Sequence, residues 1–105
     1  QVGCWKDILD RVCSFLDGTV EEEGGWGAGS AAPLDTALGL MTASSLTAAS
    51  VEANREAVSS SLAYLLRSQR TDGSWVGTDF LRFPYKSDTI STALCAEALI
   101  RYLEV

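Results

Sequence analysis

The sequence predicts an all-α fold with four main helices, arranged as two α-hairpin repeats. Three observations carry this: four segments with helical apolar spacing, no convincing strand pattern, and a self-match when the chain is shifted by 49 residues. The length of 105 residues suits a single domain spanning 1–105, and 47% apolar with 21% charged residues suits a globular chain rather than a disordered one.

The first helix is expected from about Val2 to Asp17. Trp5, Ile8, Leu9, Val12 and Leu16 recur on one helical face, and Gly18 is the expected stop. The second begins at Pro33 or Leu34, because a proline in the first turn loses no hydrogen bond there, and it carries Leu34, Ala37, Leu38 and Met41. The third runs from about Val51 to Ser68 with Val58, Leu62, Leu65 and Leu66 on one face. The fourth runs from about Asp88 to Glu104, with Ser87 or Asp88 as its N-cap. The first and third are amphipathic. The second and fourth are apolar or small nearly all round, so burial on every side is expected of them. Val76–Phe83 shows some alternation, but it is glycine-flanked, with Gly73 and Gly77 near its start, and Pro84 follows it, so it reads as a loop.

The self-match divides the chain into repeats of about 1–50 and 51–105. Phe15-Leu16 falls on Tyr64-Leu65, and Glu23-Gly24-Gly25-Trp26 falls on Asp72-Gly73-Ser74-Trp75. A longer loop after the second tryptophan shifts the register, which then places Thr36-Ala37-Leu38 on Thr92-Ala93-Leu94. Each repeat is an amphipathic helix, an acidic-Gly-x-Trp turn, a loop and an apolar inner helix.

Composition excludes several functions. Eight Lys and Arg against fourteen Asp and Glu give a net charge of −6, which argues against nucleic-acid or electrostatic membrane-surface binding. Histidine is absent, so there is no histidine base, triad or metal ligand. Cys4, Cys13 and Cys95 form neither a disulfide framework nor a zinc motif and read as buried thiols in a reducing compartment. No stretch is apolar enough to span a membrane and no signal peptide is visible, so a cytoplasmic location is expected. Gly24–Gly29 is a poor phosphate loop, with no strand before it and no lysine after it, and Glu21-Glu22-Glu23 beside it would repel phosphate. Asp7 and Asp10 are too sparse for a magnesium-diphosphate site.

Tyr64-Leu65, three residues, Gln69, three residues, then Gly73-Ser74-Trp75 resembles the QW motif of squalene-hopene cyclases and related class II terpene cyclases. The first repeat keeps Phe15-Leu16 and Gly24-Gly25-Trp26 but has Val20 where the motif has Gln, and the basic residue and glycine that open the motif are missing. Similar hairpins occur in prenyltransferase β subunits, so the resemblance implies part of an α/α toroid. It also implies a structural role for the motif residues. Gly73 permits a sharp turn, Trp75 covers it and stacks on a neighbouring amide, and Gln69 bridges adjacent hairpins.

Class II cyclases protonate their substrate with the middle acid of a DxDD motif. The nearest match is Pro33-Leu34-Asp35-Thr36-Ala37, where Asp35 aligns with the last acid and Leu34 with the proton donor. Leucine cannot donate a proton. Asp35 is thus a weak catalytic candidate and otherwise a first-turn carboxylate that complements the helix dipole, with Asp88 taken as its equivalent in the second repeat. Phe80, Phe83, Tyr85 and Leu94 are candidates for the wall of an apolar pocket. No metal and no cofactor are implied.

Two hairpins do not close a ring. The expectation is therefore a non-catalytic portion or module of a class II terpene cyclase-like protein, providing apolar scaffold. The alternatives are a protein-interaction module within a multidomain biosynthetic enzyme and a small lipophilic-ligand binder. Expected partners are further copies of the chain, the rest of a parent chain, or another protein at the inner-helix face. The helical pattern starts and stops within a few residues of Gln1 and Val105, which favours an embedded domain.

Overall fold

The computed structural model describes residues 2–49, 55–77 and 87–103. Four helices are present: α1 (Val2–Thr19), α2 (Pro33–Ala48), α3 (Arg55–Ser68) and α4 (Asp88–Leu103). Among the described residues there is no strand, and no helix is long and apolar enough to cross a membrane. The fold is all-α, as its apolar spacing predicts.

Helix α2 is central. It packs against α1, α3 and, most extensively, α4. Small residues make this possible. Ala37 and Ala43 are fully buried on α2, Cys95 and Ala98 on α4, and the thiol of Cys95 lies 3.5 Å from the Pro33 carbonyl. The main core joins Trp26, Leu40, Leu65, Trp75 and Leu99 to these residues. A smaller cluster of Cys13 and Leu46, flanked by Leu9 and Leu16, fastens α1 to α2. The molecule is a slab of 45 × 34 × 24 Å.

Several details differ from the sequence expectation. Helix α1 continues through Gly18 to Thr19, because the reversal is made further on, at a left-handed Gly24 with φ +88°. Its buried line is Leu9, Cys13 and Leu16, while Ile8 and Val12 face outward at 49% and 36% exposure. The apolar face of α1 is wider than its contact with α2. On α3, Leu66 is likewise exposed, and the buried positions are Ala57, Ser61 and Leu65. Ser87 is the N-cap of α4, its hydroxyl accepting from the Ile90 N–H at 3.1 Å.

The inner helices are not covered on every side. Helix α4 leaves Ile90, Ala93, Glu97 and Ile100 exposed, which is one helical stripe. Helix α2 leaves Asp35, Leu38, Thr42 and Ser45 exposed, a second stripe of the same spacing.

Gly39 on α2 sits under the ring of Trp26, where an added Cβ would strike the six-membered ring. That indole is anchored through its N–H and cannot swing aside freely. Overpacking costs about 1–3 kcal/mol, against a gain of about 1 kcal/mol in helix propensity. Gly18 has nothing within 4 Å of such a Cβ. Urea unfolding should therefore show Gly39→Ala destabilised and Gly18→Ala stabilised by up to about 1 kcal/mol; a gain in both would refute this packing.

Candidate functional site

The two acidic-Gly-x-Trp turns are the most constrained part of the molecule, and they are built alike. In the first, the Glu21 N–H donates to the Gly25 carbonyl at 2.8 Å and the Gly24 N–H to the Glu21 carbonyl at 2.9 Å. In the second, 49 residues on, the Arg70 N–H donates to the Ser74 carbonyl at 2.8 Å and the Gly73 N–H to the Arg70 carbonyl at 2.9 Å. Gly24 and Gly73 hold φ of +88° and +91°, a left-handed conformation that glycine adopts without steric cost.

Each tryptophan then clamps an outer helix to an inner one. The Trp26 indole N–H donates to the Leu16 carbonyl at 3.0 Å, and that of Trp75 to the Leu65 carbonyl at 2.9 Å. These carbonyls belong to the last turns of α1 and α3, where helical partners run out. The backbone N–H of Trp26 donates to the Thr36 hydroxyl at 2.9 Å, and that of Trp75 to the Thr92 hydroxyl, also at 2.9 Å. Thr36 is fully buried and its hydroxyl returns a bond to the Trp26 carbonyl at 3.3 Å. Trp26 and Trp75 are 7% and 3% exposed. A buried indole of this size supplies several kcal/mol through its area, while its hydrogen bond fixes where the ring lies.

The acidic residue of each turn is also engaged. The Glu23 carboxylate accepts from the Ala31 N–H at 3.1 Å, and the Asp72 carboxylate accepts from the Ser74 N–H and hydroxyl at 3.0 and 2.7 Å. Both carboxyls are held below their ordinary pKa values, Glu23 by a hydrogen bond from its own backbone and then by that of Ala31, Asp72 by the two bonds from Ser74. Asp88 accepts from the Gly77 N–H at 2.7 Å and pairs with Arg70 at 2.8 Å, and the Gly77 bond together with Arg70 holds it low as well. Trp75 bonds a helix-end carbonyl, and Gln69 donates to the Gly73 carbonyl of its own turn at 3.0 Å. The short span from Gln69 to Gly73 puts that carbonyl within reach of the amide.

Helix α3 seats on the first turn. The Gly25 N–H donates to the buried Ser61 hydroxyl at 3.1 Å, Arg67 donates to the Glu23 carbonyl, and the Tyr64 ring lies against Gly25. Arg67 sits over the Tyr64 ring, 5.6 Å from its centroid. Tyr64 and Leu65 thus hold this seat and the core, respectively. Phe15, the counterpart of Tyr64, is 67% exposed, and Leu16 is half-buried.

Asp35 lies exposed in the first turn of α2 beside buried Leu34. Its counterpart is Ser91, not Asp88, because the offset between the inner helices is the 56 residues that separate Thr36 from Thr92. Ser91 is buried and donates to the Val76 carbonyl at 2.9 Å. Leu94 is half-buried and packs against the main core. Phe80, Phe83 and Tyr85 lie outside the described residues. Cys13 and Cys95 are buried free thiols, and Cys4 lies outside the residues whose side chains are described. Burial pushes Cys95 from 9.0 to about 11, so it stays a neutral thiol near pH 7. Among the described residues no group of His, Cys, Asp and Glu could hold a metal ion. A cleft of about 520 Å³ between the end of α1 and α3 is lined by Asp17, Val20, Glu56, Ala57, Ser59, Ser60 and Ala63, a mixed apolar and polar wall with two carboxylates.

Thr36, Ser61, Ser91 and Thr92 are the residues that the apolar pattern alone does not single out. The Thr36–Thr92 match in the repeat was their available signal; nothing in the spacing marks Ser61. No family model, curated protein or solved structure matches the chain.

The two turn glycines differ in surroundings. A Cβ on Gly24 would run into the Ser60 carbonyl of α3, whereas one on Gly73 meets only the Gln69 amide at 3.8 Å. Both carry left-handed strain of about 1–2 kcal/mol for any other residue. Gly73→Ala should cost roughly that, and Gly24→Ala clearly more, because α3 must also move. Equal shifts of the urea midpoint would contradict the seating of α3 on the first turn.

Proposed function

We propose that this chain is a non-catalytic repeat scaffold, a module similar to the hairpins that build the apolar walls of class II terpene cyclase-like proteins. The observation that supports it best is the duplicated clamp: both tryptophans bond an outer-helix carbonyl and an inner-helix threonine with the same geometry. The polar groups of the turns are directed at the chain's own backbone. Asp35, the single candidate acid, is exposed to water, whereas alkene or epoxide protonation needs an acid kept protonated in an apolar pocket. On this reading the inner helices contribute wall, the turns set the spacing of hairpins, and the cytoplasm is the expected compartment.

A protein-interaction role is the second reading, favoured by the exposed Phe15, Ile90 and Ile100.

The scaffold reading is tested by incubating the purified chain with squalene, oxidosqualene and geranylgeranyl diphosphate and analysing extracts by mass spectrometry. No cyclised product is expected. Product that disappears on Asp35→Asn, a variant expected to keep wild-type stability within about 0.5 kcal/mol as an exposed substitution, would overturn it.

A further inference from the structure

The contact between the two repeats is a template for a contact that neither repeat has yet made at its outer side. The second repeat seats on the first through two patches. Helix α3 places Ser61 and Tyr64 over the turn at Gly24–Gly25, and α4, which packs against α2, buries Ser91 and Ala98 and half-buries Leu94. The same register on the first repeat, 49 residues back on the outer helix and 56 back on the inner one, falls on Val12, Phe15, Asp35, Leu38 and Thr42. All five are exposed. This is a head without a seat.

The complementary surface is open at the other end. On α2, Leu34 and Ala37 are buried and Met41 is half-buried, beneath the second repeat. Their counterparts on α4 are Ile90, Ala93 and Glu97, and all three are exposed. Among the described residues the second turn is open too: a Cβ built on Gly73 meets the Gln69 amide of its own turn at 3.8 Å, where Ser60 of α3 crowds Gly24. This is a seat without a head. The exposures are large for apolar side chains, 67% for Phe15, 38% for Leu38, 42% for Ile90 and 47% for Ile100.

We propose that a second copy of this chain docks head to tail, with α1 and α2 of one copy taking the place on the turn at 70–77 and on α4 of the next that α3 and α4 take on the first repeat. The proposal rests on the repeat-scaffold reading and extends it by naming the partner. Its basis is continuity with an interface already present in the molecule, repeated at the same two offsets. Side-chain differences between the two interfaces are compatible with it. Val12 replaces Ser61 at the head, and at the seat the Ser74 N–H that would otherwise need that hydroxyl is already bonded to Asp72. Arg11 takes the position of Ser60, which borders the turn, while the counterpart of Arg67 is Gly18, so the arginine that bonds the Glu23 carbonyl in the first turn is not repeated at its own position. Thr42 takes the position of Ala98, and its hydroxyl is already bonded to the Leu38 carbonyl of its own helix at 2.9 Å, so it brings no unpaired donor to the contact. The contact is heterologous, so successive copies form a ring if the rotation closes and an open array if it does not.

Complementation separates this geometry from every self-complementary one. Phe15→Glu removes a head and leaves the seat; Ile90→Glu removes a seat and leaves the head. Sedimentation across a concentration series should show wild type associating beyond a dimer. Each variant alone should bind at least tenfold more weakly and sediment as a monomer. Their equimolar mixture should form a one-to-one dimer and stop there, because only one productive contact remains. Leu38→Glu with Ala93→Glu repeats the test should either first variant fold poorly, as judged by circular dichroism. A wild-type monomer at all concentrations, variants that still associate, or a mixture that stays monomeric would each overturn the docking while leaving the scaffold reading intact. Cyclised product in the assay above would overturn the scaffold reading without bearing on the docking.

Discussion

The fold depends on one constraint: the last carbonyls of each outer helix must be satisfied where the chain turns back toward an inner helix. A helix end leaves such groups without partners, and burying one unpaired costs about 1–3 kcal/mol. An indole answers this at each turn. Its N–H takes the Leu16 or Leu65 carbonyl, its ring fills the space between the helices, and its backbone N–H takes a threonine hydroxyl on the inner helix. Spacing between the layers follows from the width of the ring. Gly39 is part of the same solution, since only a glycine lets α2 pass beneath Trp26. Its counterpart 56 residues on is Cys95, also fully buried, so small volume recurs where the second ring must fit.

How much of this is legible in the sequence depends on which physics writes the pattern. Helical apolar spacing reports burial, and it places α2 and α4 closely, down to Pro33 at the start of α2. It cannot say which part of a broad apolar face is covered, because that depends on how many neighbours are present. Ile8, Val12 and Leu66 are the result: apolar, on the expected faces, and exposed. Gly18 shows the same limit for backbone signals. A glycine is permitted to end a helix, but the φ reversal at Gly24 is what ends this hairpin arm. The turns are legible because tryptophan, with three in the chain, is rare enough to mark a register where it follows an acidic residue and a glycine. Their partners are not, because a threonine or serine that accepts a backbone N–H looks like any other small polar residue. Ser61 is fully buried and bonded across 36 residues of chain, and no local spacing announces such a bond. Gln69 fits the motif that names it yet closes its own turn.

The two repeats share a construction but not an environment. The first is roofed by the second along Leu34, Ala37 and Met41, and the second presents the equivalent line, Ile90, Ala93 and Glu97, to solvent. Repeat proteins become stable by burying each unit's open face against the next, and their ends carry polar substitutions that blunt it. Here the blunting is uneven: Glu97 interrupts an α4 stripe that is otherwise apolar, while Asp35, Thr42 and Ser45 leave Leu38 as the apolar member of the α2 stripe.

The most direct test of the account is native-state hydrogen exchange of the Trp26 and Trp75 indole N–H protons, followed by NMR over a range of denaturant. The account predicts that both exchange only through global unfolding, with the full denaturant dependence of the urea transition, because each N–H is buried and bonded to a helix end. Exchange of either proton at the rate of a local opening, independent of denaturant, would show that the indoles cover the turns without holding them.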